Sequence, residues 1–102
     1  MTSNEFDLEY TENAENDLKE LTADKQKIAS AKAVVKSLKL MSKNLKHPSL
    51  NTHKYDEMEG PNGEIVFESY AQNNTPGAYR IFWHYGPGRK KITILEICPH
   101  PE

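Results

Sequence analysis

The chain has 102 residues, of which 36% are hydrophobic and 27% are charged, a composition typical of a folded domain and not of a disordered chain. Its apolar runs are only a few residues long, which excludes a membrane-spanning helix, and its first residues lack the basic start and apolar block of a secretory signal. We therefore expect a cytoplasmic protein with one domain over residues 1–102. Its single cysteine, Cys98, cannot form an internal disulfide or a cysteine-based zinc site.

The formal net charge of −2 conceals three blocks of different sign. Residues 1–24 carry eight acids and one base, residues 25–54 carry eight lysines and no acid, and residues 55–102 carry seven acids and four bases. Charge asymmetry of this kind bears on binding partners more than on fold. The acid-free middle block indicates a surface suited to nucleic acid.

The first predicted element is a strand, because apolar and acidic residues alternate there with a period of two. Its apolar positions are Phe6, Leu8 and Tyr10. A short helix follows, capped by Thr11 or Asn13, with acids in its first turns where the helix dipole favours them. Its buried face has the spacing i, i+4, i+7 and consists of Ala14, Leu18 and Leu21.

A second, longer helix is predicted from a cap at Thr22 or Asp24 to about Asn44. Its apolar residues recur at steps of three and four: Ile28, Ala31, Val35, Leu38 and Met41. Six lysines fall within roughly 80° of one another on the helical wheel and form a ridge about 30 Å long beside the apolar stripe. These are Lys25, Lys32, Lys36, Lys39, Lys43 and Lys46.

The second half of the chain is predicted to form three strands. Pro48 ends the helical region, residues 48–63 are polar and are interpreted as a loop with a turn at 60–63, and strands follow at 64–70, 78–85 and 91–98. The order β-α-α-β-β-β predicts an α+β fold, in which the N-terminal strand and a helical hairpin pack on one face of an antiparallel sheet.

Alternation along residues 78–85 assigns each side chain to a face of that sheet. The aromatic set is predicted to face the helices: Tyr79, Ile81, Trp83 and Tyr85. The opposite face is predicted to be open and to carry Arg80, Phe82 and His84.

The chain resembles the RelE/ParE toxin superfamily over nearly its whole length. Residues 77–83, GAYRIFW, are similar to the family's glycine-x-tyrosine-arginine-apolar strand, and residues 47–55, HPSLNTHKY, resemble a segment of one branch. The resemblance implies a metal-independent endoribonuclease that cuts mRNA on the ribosome by attack of the 2′-hydroxyl on the adjacent phosphate. It also implies a protein antitoxin as partner. No cofactor, metal or membrane is expected.

The resemblance assigns Arg80 to the scissile phosphate, which a guanidinium binds through two parallel hydrogen bonds. His100 is expected to act as general acid or base, with Lys54, His53 and His84 as further catalytic candidates. Glu68 departs from the family pattern, because ribonuclease members often place bases on its strand. The expected RNA- and ribosome-binding residues are Lys32, Lys36, Lys39, Lys43, Lys46, Arg89, Lys90, Lys91 and Phe82.

Two alternatives remain open on the sequence alone. A toxin of the ParE type would inhibit DNA gyrase without catalysis of its own, and an inactive member of the fold would only bind its antitoxin. In each case an acidic, amphipathic antitoxin segment would complement the basic helix and could cover the open sheet face.

Overall fold

The computed structural model describes residues 5–73 and 75–100. Two helices pack on one face of a five-stranded mixed sheet, which confirms the predicted α+β class. The elements, in chain order, are β1 (Asp7–Tyr10), α1 (Glu12–Ala23), α2 (Ile28–Lys43), β2 (His53–Glu59), β3 (Ile65–Tyr70), β4 (Tyr79–Tyr85) and β5 (Lys91–Pro99). The strand order is β1-β5-β4-β3-β2, with β1 parallel to β5 and the other neighbours antiparallel.

Helix α1 is capped by Thr11, one of the two predicted capping residues. Its side-chain oxygen accepts a 3.0 Å hydrogen bond from the backbone N–H of Ala14, and its hydroxyl donates to the carbonyl of Leu95 on β5. The cap satisfies an N–H that has no partner within the helix. It also ties the start of α1 to the sheet, so local sequence and tertiary packing agree at this position.

Helix α2 is shorter than predicted. Asp24 caps a 3-10 turn over Lys25–Lys27, and the α-helix begins only at Ile28. Ile28 was assigned to the buried stripe, but it is 56% exposed, so that assignment is wrong. The buried apolar residues of α2 are Val34, Leu38 and Met41. Among the described residues no helix is both long and apolar enough to cross a membrane.

The interpretation of residues 48–63 as a loop is wrong over β2, which pairs with β3 at the edge of the sheet. The segment HKYDEME shows no apolar alternation, and only Tyr55 and Met58 are partly buried. An edge strand with so little buried surface leaves no period-two signal. The pairing shifts register between Lys54 and Glu59, so β2 is irregular along its length.

The core lies between the helices and the inner face of the sheet. Trp83 is fully buried, stacks on Phe67 with 5.0 Å between ring centroids, and donates a 2.8 Å hydrogen bond from Nε1 to Oγ of Ser69. Tyr79 and Ile81 join it, as predicted for this face. Tyr85, the last residue of β4, contacts the rings of Phe67 and Trp83 on this face but is 47% exposed.

Candidate functional site

Strand register brings the candidate residues together on the face of the sheet that points away from the helices. Glu68 on β3 pairs with His53 on one side and with Phe82 on the other. Arg80 on β4 pairs with Tyr70 on β3 and with Cys98 on β5. Residues directly opposite each other in a sheet share a face, so two adjacent cross-strand rows form a single polar cluster.

This face is covered, contrary to the prediction of an open surface. Arg80 is 8% exposed, and Phe82 and His84 are each 2% exposed. The ring of Tyr55 on β2 lies against Phe82, with 4.8 Å between centroids. The unpredicted strand therefore covers Phe82. Phe82 is packed beneath it, so its expected stacking on an RNA base is contradicted by the structure.

The Arg80 guanidinium is held by three elements. Its Nη1 donates to the backbone carbonyl of Gln72 at 2.7 Å and to that of Tyr79 at 3.3 Å. Its plane lies 3.7 Å from the ring centroid of Tyr70, a cation–π contact, and its Nε is 3.6 Å from Oε2 of Glu68. Arg80 is thus fixed in one orientation within the domain.

His53 and Glu68 form the closest charged contact in this cluster. His53 Nε2 lies 2.7 Å from Oε1 of Glu68, and His53 Nδ1 lies 2.9 Å from the carbonyl oxygen of Asn51. A carbonyl can only accept, so Nδ1 carries a proton. The other imidazole nitrogen, Nε2, faces the Glu68 carboxyl, whose second oxygen lies beside the Arg80 guanidinium. Half of the His53 side chain, 47%, remains exposed.

His84 lies in a separate cluster on the same face. Its Nδ1 is 2.8 Å from the carbonyl of Tyr85, and its Nε2 is 4.0 Å from Glu64 at the β2–β3 turn. The backbone N–H of Asn62 donates to Glu64, and this bond lowers the pKa of that carboxyl. His84 is therefore enclosed by the turn, and the described contacts do not join it to Arg80.

The two remaining catalytic candidates lie on opposite faces of the sheet. Lys54 pairs with Phe67, which packs on the helix side, so Lys54 occupies the opposite face from His53. His100 is exposed, and its backbone N–H donates to the carbonyl of Ala78 at 2.7 Å. This bond continues the β4–β5 pairing and places His100 on the face of Arg80, two residues beyond Cys98.

The expected nucleic-acid-binding residues lie away from Arg80. The exposed ridge lysines of α2 are on the helix layer, on the other side of the sheet; they are Lys32, Lys36, Lys39 and Lys43, with Lys46 following the helix. Lys25 and Lys46 lie outside α2, so the helical part of the ridge, from Lys32 to Lys43, spans about 16 Å at 1.5 Å per residue. Arg89 and Lys90 occupy the β4–β5 connection, beyond the far end of β4, and Lys91 is the first residue of β5.

Cys98 flanks Arg80 on β5 and is partly buried. Burial raises the pKa of its thiol to about 12, and the neighbouring Glu96 adds to the effect. The group is therefore a neutral thiol at physiological pH. Among residues 5–73 and 75–100, no group of three or more histidine, cysteine or acidic side chains has the geometry to hold a metal ion.

Sequence reasoning singled out His53 and Arg80 but not the residues that join them. Glu68 was seen only as a departure from a pattern, and Tyr70 was not considered. The β3–β4 register places Tyr70 beside Arg80, and the β2–β3 register places Glu68 beside His53. Without recognising β2 that register could not be written.

Comparison with solved structures identifies the class of fold. RelE in the archaeal RelE-RelB complex from Pyrococcus horikoshii superposes with a TM-score of 0.57 at 15% identity, over 92% of this chain and 93% of that one. The YoeB/ParE toxin from Agrobacterium tumefaciens gives a TM-score of 0.61 at 7% identity, over 94% and 100%. YoeB from Staphylococcus aureus, solved as a dimer, gives 0.58 at 13% identity, over 95% and 98%.

The chain therefore has the fold of the RelE/ParE toxins, which confirms the fold predicted for it. No family model matches the sequence, and no curated protein matches it. At these sequence identities the similarity to the solved structures is a similarity of backbone fold.

Proposed function

We propose that this protein is the toxin of a toxin-antitoxin pair and acts as a metal-independent mRNA endoribonuclease on the ribosome. The observation that carries the proposal is the arrangement of His53, Arg80 and His100 on one face of the sheet. Arg80 lies on β4, His53 lies two strands away on β2, and His100 follows the adjacent strand β5 on the other side. An arginine is thus flanked by histidines on both sides.

This arrangement suits attack of a 2′-hydroxyl on the neighbouring phosphate. The attacking and leaving oxygens lie on opposite sides of the phosphorus, so a base is needed on one side and an acid on the other. Arg80 would hold the phosphate and stabilise the charge that develops on it. His53 and His100 would transfer the two protons, because an imidazole can both accept and donate a proton. Lys54 and His84 take no part.

The basic ridge has a separate role in this proposal. Its lysines lie on the opposite side of the sheet from Arg80, so they cannot hold the nucleotide that is cut. They would instead bind ribosomal RNA through its phosphates, a contact that weakens steeply with salt. Arg89, Lys90 and Lys91 lie at a third position and would extend that contact. Neutralising Lys36 and Lys39 should reduce ribosome binding and leave the fold unchanged.

A groove on the helix layer is the proposed site for the antitoxin. It lies between β1 and the two helices, is lined by Leu8, Leu18 and Val35, and has Lys39 and Lys43 at its rim. An acidic amphipathic segment would bury its apolar face in the groove and pair its acids with the lysines. Bound there, it would also cover the ridge and so block the ribosome.

The ribonuclease proposal is tested by tightly controlled expression, with growth recorded and transcript 5′ ends mapped. The expected result is growth arrest with new mRNA ends, and the loss of both in His53→Ala and His100→Ala. Lys54→Ala is the matched control, because it removes a cation next to His53 in sequence but on the other face. Growth arrest with DNA damage and intact transcripts would favour a gyrase inhibitor. Normal growth with soluble protein would leave an inactive, antitoxin-binding member of the fold.

The antitoxin proposal is tested by binding of the small protein encoded beside this chain. Val35→Glu places a charge in the apolar groove and should weaken binding at least tenfold. Thr75→Glu adds the same charge in the exposed β3–β4 loop and should leave binding unchanged. Equal affinities for the two variants would contradict the assignment of the groove.

A further inference from the structure

Glu68 lies between the imidazole of His53 and the guanidinium of Arg80. One carboxylate oxygen contacts His53 Nε2 at 2.7 Å, and the other lies 3.6 Å from Arg80 Nε. Glu68 is 3% exposed, so it approaches both groups from inside the domain. A residue that repels phosphate thus occupies the centre of the site expected to bind one.

The pairing of Glu68 with Arg80 is incomplete. The distance of 3.6 Å between Oε2 and Nε is beyond hydrogen-bond length, and neither atom has a hydrogen-bond partner among the described residues. A buried donor and a buried acceptor without hydrogen bonds are costly to the folded state. Their proximity gives Coulombic attraction without the directional bond that would make the pair stable.

The donors around Glu68 match the requirements of a phosphate group. A phosphate presents two or more anionic oxygens, as a carboxylate does, and it accepts charge-assisted hydrogen bonds from arginine and from protonated histidine. The ring of Tyr70 contacts both side chains, with its centroid 3.7 Å from the Arg80 guanidinium carbon and 5.8 Å from the centroid of the His53 ring. The carboxylate and the aromatic ring together close the site.

We propose that Glu68 is a built-in competitor for the anion site of His53 and Arg80. The site accepts a phosphate group only when the Glu68 carboxylate is displaced, and the resting protein is therefore held in a closed state. Identification of that phosphate with the scissile group of mRNA rests on the proposed function. The competition itself does not, because any phosphate anion can be used to measure it.

The test is titration of inorganic phosphate into the wild-type protein and into Glu68→Gln, followed by calorimetry. Removing the competing charge should tighten phosphate binding at least tenfold. Glu96→Gln is the matched control, because it makes the same change on the same sheet face, across Phe82 on β5, and it should bind as the wild type does. Phosphate affinity in Glu68→Gln no higher than in the wild type would overturn the proposal.

Loss of the buried carboxylate could also unfold the variant, and phosphate then provides a second readout. A ligand that binds only the folded state stabilises that state by mass action. Phosphate should therefore restore the native fluorescence of Trp83 in Glu68→Gln, and sulfate at equal ionic strength should act similarly, whereas chloride should not. An unfolded variant that no oxyanion restores would contradict the proposal.

The two proposals can fail separately. If the wild-type protein cuts no mRNA but Glu68→Gln binds phosphate more tightly, the ribonuclease assignment is wrong and the competition stands. If the wild type cuts mRNA and Glu68→Gln binds phosphate no better, the ribonuclease stands and the competition is wrong. Cleavage by Glu68→Gln at or above the wild-type rate would further separate a competitor from a general base, whose loss would abolish cleavage.

Discussion

The carboxylate of Glu68 and the imidazole of His53 face each other across the β2–β3 pairing, 2.7 Å apart, one almost fully buried and the other half exposed. The contact joins an interior acid to a surface base at the edge of the sheet. Arg80 completes the cluster from β4. The polar chemistry of this domain is thus built on three adjacent strands, where backbone pairing fixes the spacing of the side chains.

Replacement of Arg80 by alanine should destabilise the domain, in contrast to what an exposed strand position would predict. Removing the guanidinium takes one of two partners from the buried Glu68 and leaves the Gln72 carbonyl without its donor, a change expected to cost about 3 kcal/mol. Urea unfolding followed by Trp83 fluorescence measures this loss. The double variant Arg80→Ala/Glu68→Gln should lose less than Arg80→Ala alone. A single variant as stable as the wild type would show that the pair is not part of the folded core.

Replacement of Ser69 by alanine should weaken the core beneath the site. Ser69 Oγ accepts the indole N–H of Trp83 and also contacts the Thr52 hydroxyl at 2.7 Å. The alanine variant leaves a fully buried indole N–H without an acceptor, at an expected cost of about 1–3 kcal/mol. Thr52→Val is the control, because it removes the outer hydroxyl and keeps the Trp83 bond. Thermal unfolding of the two variants should rank Ser69→Ala as the less stable.

Cys98 should react slowly with thiol reagents in the folded protein. Its pKa of about 12, against 9.0 for the ordinary thiol, implies a thiolate fraction smaller by roughly a thousandfold at pH 8. Iodoacetamide labelling followed by mass spectrometry should be slow in buffer and rapid in urea. Labelling at the same rate in both conditions would contradict the burial of this side chain.

The β2–β3 turn should lose a stabilising contact in acid. Hydrogen bonds from the backbone, chiefly the Asn62 N–H, lower the pKa of Glu64 from its ordinary 4.5. Because the folded-state pKa is the lower one, this stabilisation is present above pH 4.5 and is lost as the pH falls through the folded-state value. Glu64→Gln should therefore be less stable than the wild type at pH 7, and the difference should shrink in acid. A difference that is the same at pH 7 and pH 3 would contradict the assignment.

A related constraint acts at Gly60, where the turn leaves no space for a side chain. A Cβ added there would lie 2.9 Å from the Cβ of Glu64 and would collide with the Glu64 carboxylate. Gly60→Ala should therefore displace Glu64 and destabilise the domain, and the measurement is chemical unfolding. Gly63→Ala is a useful comparison, because at that position strain comes only from a φ of +83° and no atom lies in the way.

Much of the fold could be predicted from the sequence, because apolar periodicity reports which faces are buried. The strand containing Leu8 and the core positions Ile81 and Trp83 follow from such patterns, and the Thr11 cap follows from local capping preference. The strand β2 could not be predicted in this way, since its edge position requires almost no apolar residue. Because β2 was not predicted, the contacts that it makes in the candidate site were not predicted either.

Some residues of the candidate site could be predicted from the sequence, but their burial and their contacts with one another could not. Arg80 and His53 were selected by resemblance, whereas the contact that joins them runs through Glu68, which the β2–β3 register places beside His53. Side-chain contacts between strands depend on that register, and a single sequence with one unrecognised strand does not determine it. The lysine ridge was predicted correctly as an exposed surface, but its separation from Arg80 by the whole sheet required the structure.

Cleavage of a defined mRNA by purified protein with and without ribosomes tests the central claim most directly. The account predicts new 5′ ends that appear only with ribosomes and that still form with a metal chelator that spares the ribosome's own magnesium. The rate of cleavage should fall at least a hundredfold in His53→Ala, and Lys54→Ala should keep the wild-type rate. Equal cleavage by His53→Ala and the wild type, or no cleavage by a folded wild-type protein on translating ribosomes, would contradict it.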